Sequence, residues 1–460
     1  MPGDISFETA MKDIFAIWQA GVDGVAPDRL VWENVDYDST TATLLMQDDE
    51  IPVRNIGRIV VIGAGKASGK MSFALEQRLL PIFGRKRLTG WVNVPDDCTL
   101  QTESIFLHRA RPAGINEPTQ RGADGTAKML ELLKELRPND LCFCLLSGGG
   151  SALLPAPVSE ITLQKKCELT RFLSTSGATI NELNTVRKQL STIKGGGIRR
   201  LCSGKMLYTL ILSDVLGDPL DIIASGPTVE NTSGPQDALN VLEKFGYSEF
   251  ADIYDYLLRK SKREIRQEAV DDSRHKNLVI GNNAVAVDAA GVESVRRGYS
   301  YAMISARESE GLAEEVGRNL LEMAKAMVGK SPDCLISGGE PTVRLPESGI
   351  RGKGGRNQQL MLAVLVELLK NRDKMEPLLF EMLSGGTDGE DGPTNAAGAF
   401  LNETVLRNAM EHPELDPLDF LHRCDAYHYF EQIGGLLKTG PTGTNVCDLR
   451  VVVVKPPQTR

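Results

Sequence analysis

Aromatic side chains are scarce in this chain, at 5% of its residues, and the 460 positions include only five histidines. With 52 basic against 61 acidic residues, a formal charge of −9 and no basic stripe, it lacks the electrostatic footprint and the stacking platform that nucleic acid requires. The histidines show no ligand spacing. Eight cysteines are scattered, and the closest pair, Cys142 and Cys144, lies in the apolar run DLCFCLL, which reads as a buried strand. A structural zinc and a disulfide framework are therefore not indicated. No apolar run approaches the roughly 18 residues of a membrane span. The first thirty residues carry Asp4, Glu8, Asp13 and Asp23, unlike a secretory signal. The expectation is a soluble cytoplasmic protein whose partners are small molecules, with neither nucleic acid nor membrane among them. Homo-oligomerisation is left open.

What the chain does have is glycine, 45 of them, clustered in short loops after apolar runs. A chain of this length exceeds a single core, so two domains are expected, with a ligand site in a cleft between them. The segments RIVVIGAGKASGKMSFALEQRL from Arg58, DLCFCLLSGGGSALL from Asp140, LYTLILSDVLGDP from Leu207 and NLVIGNNAVAVDAAGVESVRRGY from Asn277 repeat one pattern. DCLISGGEP from Asp333 and LLFEMLSGGTDGEDG from Leu378 continue it. Apolar runs without alternation, each followed by a glycine turn and then amphipathic helix, predict an α/β fold of parallel strands covered on both faces. Between Glu230 and Asn277 the chain turns polar and helical, ending in KSKREIRQEAVDDSRHKN. That predicts a first domain over residues 1–275 and a second over 276–460, with the last strand, RVVVV, free to join either sheet.

Ser-Gly-Gly closes an apolar run three times, at LLSGGGS, LISGGEP and MLSGGTD. Glycine lets successive amides turn inward and lets an anion approach the backbone at the carboxyl end of a strand. One such junction also makes an ordinary tight turn; three predict an anion or nucleotide site. In VVIGAGKASGKMS, Gly63 and Gly65 begin a dinucleotide fingerprint. Ser68 breaks it, and no acid suited to a ribose follows. Lys66 stands inside that turn, where a cation at a helix mouth is unfavourable unless an anion binds. Its plain alternative is an exposed loop lysine. In RGKGGRNQQLMLAVLVELL, Lys353 and Arg356 concentrate positive charge before a long helix, as phosphoryl transfer requires, unless this is simply a surface loop. Asp214, Asp218 and Asp221 in SDVLGDPLDIIASGPT, and Asp388 and Asp391 in SGGTDGEDGPT, are carboxylates suited to magnesium or to a proton acceptor. Each of them also suits a turn or helix cap.

With those residues in hand, the chain closely resembles glycerate kinases of the glycerate 2-kinase type, the family carrying a C-terminal MOFRL domain. The matching stretches are GAGKAS, LLSGGGSALL, INELNTVRKQLSTIKGGG, SDVLGDPLDIIASGPT, ISGGEPTV, GGRNQQL, SGGTDGEDGPTNAAGA and KTGPTGTNVCDLRV. The resemblance implies two α/β domains, the first Rossmann-like and the second smaller and MOFRL-type, with the active site in the cleft. It implies ATP-dependent phosphorylation of D-glycerate to 2-phosphoglycerate with Mg2+ or another divalent cation. On the matched motifs it implies catalysis by Lys66 and Arg356; read on the residues themselves, Asp214 joins them as a catalytic candidate, and nucleotide or phosphate contacts are expected from Gly63, Gly65, Ser147, Gly148, Gly149, Gly150 and Ser151. Further phosphate contacts fall on Gly338, Gly339, Glu340, Thr387 and Asn445, acceptor contacts on Lys66, Arg356 and Asn357, and metal contacts on Asp214, Asp388 and Asp391.

The chain departs from that family at FLHRARPAGINEPTQ, Phe106 to Gln120, where many members carry GHP-x-P-D. His108, Arg109 and Arg111 there either alter the acceptor or belong to a variant surface loop. The alternatives to the kinase are an NAD(P)H-dependent hydroxypyruvate reductase, a kinase of another small hydroxy acid, and a non-catalytic nucleotide or sugar-acid sensor.

Overall fold

A computed structural model describes residues 7–262, 271–370 and 377–454. The chain forms two compact units: Pro27–Ile280, and the described parts of Met1–Ala26 and Gly281–Arg460. This division differs from 1–275 and 276–460 at both ends of the first unit, for two local reasons. The first helix, α1 (Phe7–Gly24), buries Ile14, Ile17 and Trp18 against Val287, Leu449 and Val451 of the C-terminal unit. The strand that begins at His275 is an edge strand of the N-terminal sheet.

In Pro27–Ile280, α2 (Pro27–Asn34) precedes a small antiparallel sheet of β1 (Asp36–Asp38), β2 (Thr43–Met46) and β3 (Asp49–Pro52). There follow β4 (Ile59–Ala64), α3 (Ser68–Phe83), β5 (Leu88–Pro95), β6 (Ile105–Arg111), α4 (Gln120–Lys134) and β7 (Leu141–Leu146). The short α5 (Gly150–Leu153), α6 (Leu163–Thr175), α7 (Ile180–Gln189) and α8 (Gly197–Leu201) lead to β8 (Met206–Leu212). The polar stretch holds α9 (Pro235–Phe245) and α10 (Ala251–Lys262), as its composition predicts, before β9 (His275–Gly281); part of its charged end lies outside the described residues.

The main sheet has the order β6-β5-β4-β7-β8-β9, and the pairs from β6 through β8 are parallel. Its central strands IVVIGA and LCFCLL are buried at every residue, which is why they read as unbroken apolar runs. Thr119, Thr162 and Thr179 each cap a helix by accepting an N–H bond, and Thr179 forms a full capping box with Glu182. Strands run outward from β4 to β6, then the chain returns to place β7 on the other side of β4. That reversal is a topological switch point, where the carboxyl ends of neighbouring strands diverge and leave a crevice.

In the C-terminal unit, α11 (Asn283–Arg296), β10 (Tyr301–Ser305), α12 (Ala313–Met327), β11 (Cys334–Gly339) and α13 (Arg356–Lys370) precede β12 (Phe380–Gly386), β13 (Gly398–Leu401), β14 (Leu436–Leu437) and β15 (Asp448–Val454). The order is β10-β11-β15-β12-β13-β14. Only β10 and β11 are parallel; β15 lies antiparallel between β11 and β12, so this sheet is mixed and the all-parallel expectation fails here. The last strand thus joins the C-terminal sheet, at its centre. One face packs α1 and α11, the other α12 and α13.

Candidate active-site residues in each unit

The switch point of the N-terminal unit is held together by side chains of the two loops that sequence singled out. The Lys66 N–H donates to Gly148 O at 2.9 Å, the Ala67 N–H to Ser147 Oγ at 3.0 Å, and the Ser68 and Ser147 hydroxyls share a bond of 3.1 Å. Gly63 and Gly65 are glycines because a Cβ would collide with the backbone of Leu145 in β7 at the first and with Ser147 just beyond it at the second. Gly149, at φ +77°, sits in the left-handed region and turns the chain into α5. Ser147, Gly149, Gly150 and Ser151 line a cavity of about 580 Å³, and Asp214, two residues beyond β8, lines it too.

The same cavity brings in four cations that the sequence reading did not assign: Lys166 and Arg171 on α6, Arg187 on α7, and Lys194; Arg171 is exposed and pairs with Glu117 at 3.3 Å. Lys194, 3% exposed, donates to Ser151 O and Oγ at 2.9 Å and to Ala224 O at 3.2 Å. It thereby fixes Ser151, whose hydroxyl also bonds Ser225 at 2.9 Å. Burial, then Lys166 and Arg187, hold its pKa well below the usual lysine value. Lys166, 7% exposed, donates to Leu190 O at 3.2 Å, and burial, then Arg187, bring it down to about 7. Arg187 is half-buried, its pKa is lowered by burial, and it finds no acceptor among the described residues. Three desolvated cations around one cavity repel one another, which an anionic ligand would relieve. Beside them Ala224 and Ser225 stand at φ +50° and +63°, backbone strain of the kind that gathers at functional sites.

A signal for these cations was present. Lys166 falls on the apolar stripe of α6 with Leu169 and Leu173, and Arg187 follows Leu183 by one helical turn. A cation on a buried face demands a partner.

In the C-terminal unit, Arg356 begins α13. It donates from Nε and Nη2 to both oxygens of buried Asp448, at 2.7 and 3.0 Å, and from Nη1 to Glu340 at 2.8 Å. Its side chain remains a third exposed, and the guanidinium carries further N–H donors. Burial raises the Glu340 pKa, against the pull of Arg356. Asn357 is buried, with Nδ2 bonded to Asp391 and Asp448 and Oδ1 accepting from Ser384 at 2.6 Å. Asp391 accepts the amides of Asn357 and Gln358 at 3.0 and 2.8 Å, closing the start of the helix. Burial and Asp448 raise its pKa to about 7. Thr387 ties the 446–447 backbone through its hydroxyl, and Asn445 accepts from Cys447 N at 3.2 Å. Gly338 and Gly339 belong to β11 itself, and what presses on them are the side chains of Asn283 and Glu310.

Among the described residues no group of three or more His, Cys, Asp and Glu side chains could hold a metal ion. Both Asp391 oxygens are taken by the helix, and Asp388 Oδ1 accepts from Glu390 N at 3.1 Å. The residues present do not fit a resident metal. All eight cysteines are free, with Cys142 and Cys144 buried in β7 as expected. No described helix is long and apolar enough to cross a membrane.

Residues 13–257 match the family model described as a domain of unknown function (DUF4147), and residues 333–448 match the MOFRL family. The chain is 33% identical to glycerate kinase of Homo sapiens, over 96% of this chain and 92% of that protein. It is 32% identical to D-glycerate 2-kinase of Thermotoga maritima, over 97% and 99% of the two chains. A crystal structure of glycerate kinase from Thermotoga maritima matches with a TM-score of 0.81 at 32% identity, covering 97% of this chain and all of that one. The crystal structure of the PH0495 protein from Pyrococcus horikoshii matches with the same TM-score, 0.81, at 30% identity, covering 99% of this chain and all of that one.

Proposed function

Because the chain belongs to the glycerate kinase family of paired DUF4147 and MOFRL domains, we propose that it transfers the γ-phosphoryl group of ATP to the 2-hydroxyl of D-glycerate. The protein is a kinase, and its relatives do not favour the reductase alternative. The observation that carries the reading is the cation-lined cavity at the switch point, whose cations are more than its own carboxylates neutralise.

The amides of Ser147–Ser151 receive phosphate oxygens, with Arg187 and Lys166 neutralising them and Lys194 holding the Ser151 wall in place. The acceptor hydroxyl oxygen forms a bond to the γ-phosphorus while the bond from that phosphorus to the β,γ-bridging oxygen breaks. The hydroxyl proton passes to the Asp214 carboxylate, and ADP leaves with the electron pair. Lys66 and Arg356 are the cations that the family resemblance gives to catalysis, each within its own unit. Asn357, Thr387 and Asp391 are positioning residues, since their polar groups already bind the protein. A divalent cation would arrive on ATP, held chiefly by its phosphates, and would neutralise phosphate charge.

The test is phosphorus NMR of ATP, magnesium and D-glycerate incubated with purified protein. A 2-phosphoglycerate signal is expected. A 3-phosphoglycerate signal would overturn the regiochemistry, and hydroxypyruvate-dependent NAD(P)H oxidation at comparable rates would favour the reductase.

A further inference from the structure

Where this chain departs from the GHP-x-P-D pattern of its family, three basic side chains have very different surroundings. His108 packs on Trp91, with ring centroids 5.3 Å apart, and its Nε2 bonds Arg121 O at 2.8 Å. Arg109 is exposed and reaches Thr99. Arg111, the last residue of β6, turns inward instead. It is 3% exposed, and its Nε is buried without a hydrogen-bond partner among the described residues. Its Nη2 lies over Gly149 of the SGGGS loop, 2.9 Å from where a Cβ would stand, with Asn116 also nearby. Gly149 and Asn116 both line the cavity.

The acidic neighbour does not satisfy this guanidinium. Asp97 acts on Arg111 through space without a hydrogen bond, and its Oδ1 takes the Cys98 thiol at 3.5 Å. Burial pushes that thiol up to about 12, so it remains neutral. Lys66 and Arg111 both act on the Cys98 sulfur, which places the guanidinium in the neighbourhood of the lysine assigned to catalysis. Burial lowers the pKa of Arg111, as expected of a cation that has lost water and gained no partner.

We propose that Arg111 binds the carboxylate of the hydroxy-acid acceptor through its planar fork and makes that carboxylate a condition of acceptance. The inference rests on the kinase reading above. A kinase acting on a hydroxy acid must hold two different anions. Phosphates are served by the loop amides, Lys166 and Arg187, whereas a carboxylate matches the two parallel donors of a guanidinium.

Steady-state kinetics of the full-length wild type, Arg111→Gln and Arg111→Lys test this, with D-glycerate and its uncharged amide as acceptors. Arg111→Gln should raise the KM for D-glycerate about 10- to 100-fold, leave the KM for ATP within about twofold, and erase the preference for acid over amide. Arg111→Lys, which keeps the charge but loses the fork, should fall between. A rise in the KM for ATP alone or in equal measure, or an unchanged KM for D-glycerate, would overturn the proposal. If both variants fail to fold, calorimetry on the wild type decides: tighter binding of acid than amide supports it, and equal affinity sinks it. A wild type that turns over no D-glycerate would fail the kinase reading instead. Binding of D-glycerate to wild type and Arg111→Gln would then still read Arg111 separately.

Discussion

Lys166 and Arg187 carry the predictions that belong to single residues. A lysine whose pKa falls from 10.5 to about 7 on folding is charged in the folded protein only below about 7. The unfolded chain takes up that proton first as pH falls. Stability from this group is therefore fully present above 10.5, and is lost as pH falls through about 7. Lys166→Met should accordingly raise the denaturant midpoint more at pH 6 than at pH 10. For ligand binding the same charge helps: the wild-type KM for ATP should rise between pH 6 and pH 8.5, while Lys166→Arg, always charged, should show a flatter profile. An identical rise in Lys166→Arg would remove Lys166 from the phosphate contacts. Arg187→Gln should leave the melting temperature nearly unchanged, since Arg187 bonds nothing among the described residues, and raise the KM for ATP by about 10- to 100-fold, or about 1.4–2.8 kcal/mol. Lys66 and Arg356 draw attention in the sequence because charge beside glycine at a helix mouth is conspicuous. Arg187 and Lys166 do not, although the apolar stripes of α7 and α6 include them, because a cation inside a helical pattern reads as part of its solvated face until burial is known.

At the scale of elements, the three Ser-Gly-Gly closures illustrate why spacing identifies a turn but not its use. In LLSGGGS the glycines leave β7 and open the cavity. In LISGGEP and MLSGGTD they remain inside β11 and β12, and the space a side chain would fill is taken by Asn283, Glu310, Trp18 or Leu437. Close approach by a side chain and by a phosphate demand the same residue. The start of α13 likewise depends on a distant carboxylate: Asp391 closes the amides of Asn357 and Gln358, so Arg356 can project from a fixed first turn. Asp391→Ala would orphan those buried donors and should cost about 1–3 kcal/mol in denaturant unfolding. Turnover should fall with it, because Arg356 loses its frame. Asp391→Asn, which keeps one acceptor oxygen, should be milder on both counts. Equal stability of Asp391→Ala and wild type would return this carboxylate to the list of free groups available for a ligand.

Over the whole chain, sequence order and packing order disagree in a way the apolar pattern does not reveal. The stripe of Ile14, Ile17 and Trp18 announces that α1 must be buried, yet nothing in its period says against which sheet. The structure places it on the C-terminal unit, where Gly21 approaches Ala286 and Leu449, and Gly24 approaches Ala289, more closely than any side chain would allow. β15 then enters between β11 and β12, so both early and late chain segments complete one sheet layer. The C-terminal unit should therefore fail as a continuous piece. A fragment of residues 276–460 lacks the helix that covers Val287, Leu449 and Val451 and should show no cooperative unfolding transition; adding a peptide of residues 1–26 should restore one. In the intact chain, Trp18→Ala removes a fully buried indole and should cost about 3–5 kcal/mol. Trp18 is the single tryptophan of its unit, the others being Trp32 and Trp91. With those two replaced by phenylalanine, its fluorescence reads the unfolding of that unit directly. A fragment of residues 276–460 that unfolds cooperatively by itself would show that the helix decorates the sheet rather than completing it.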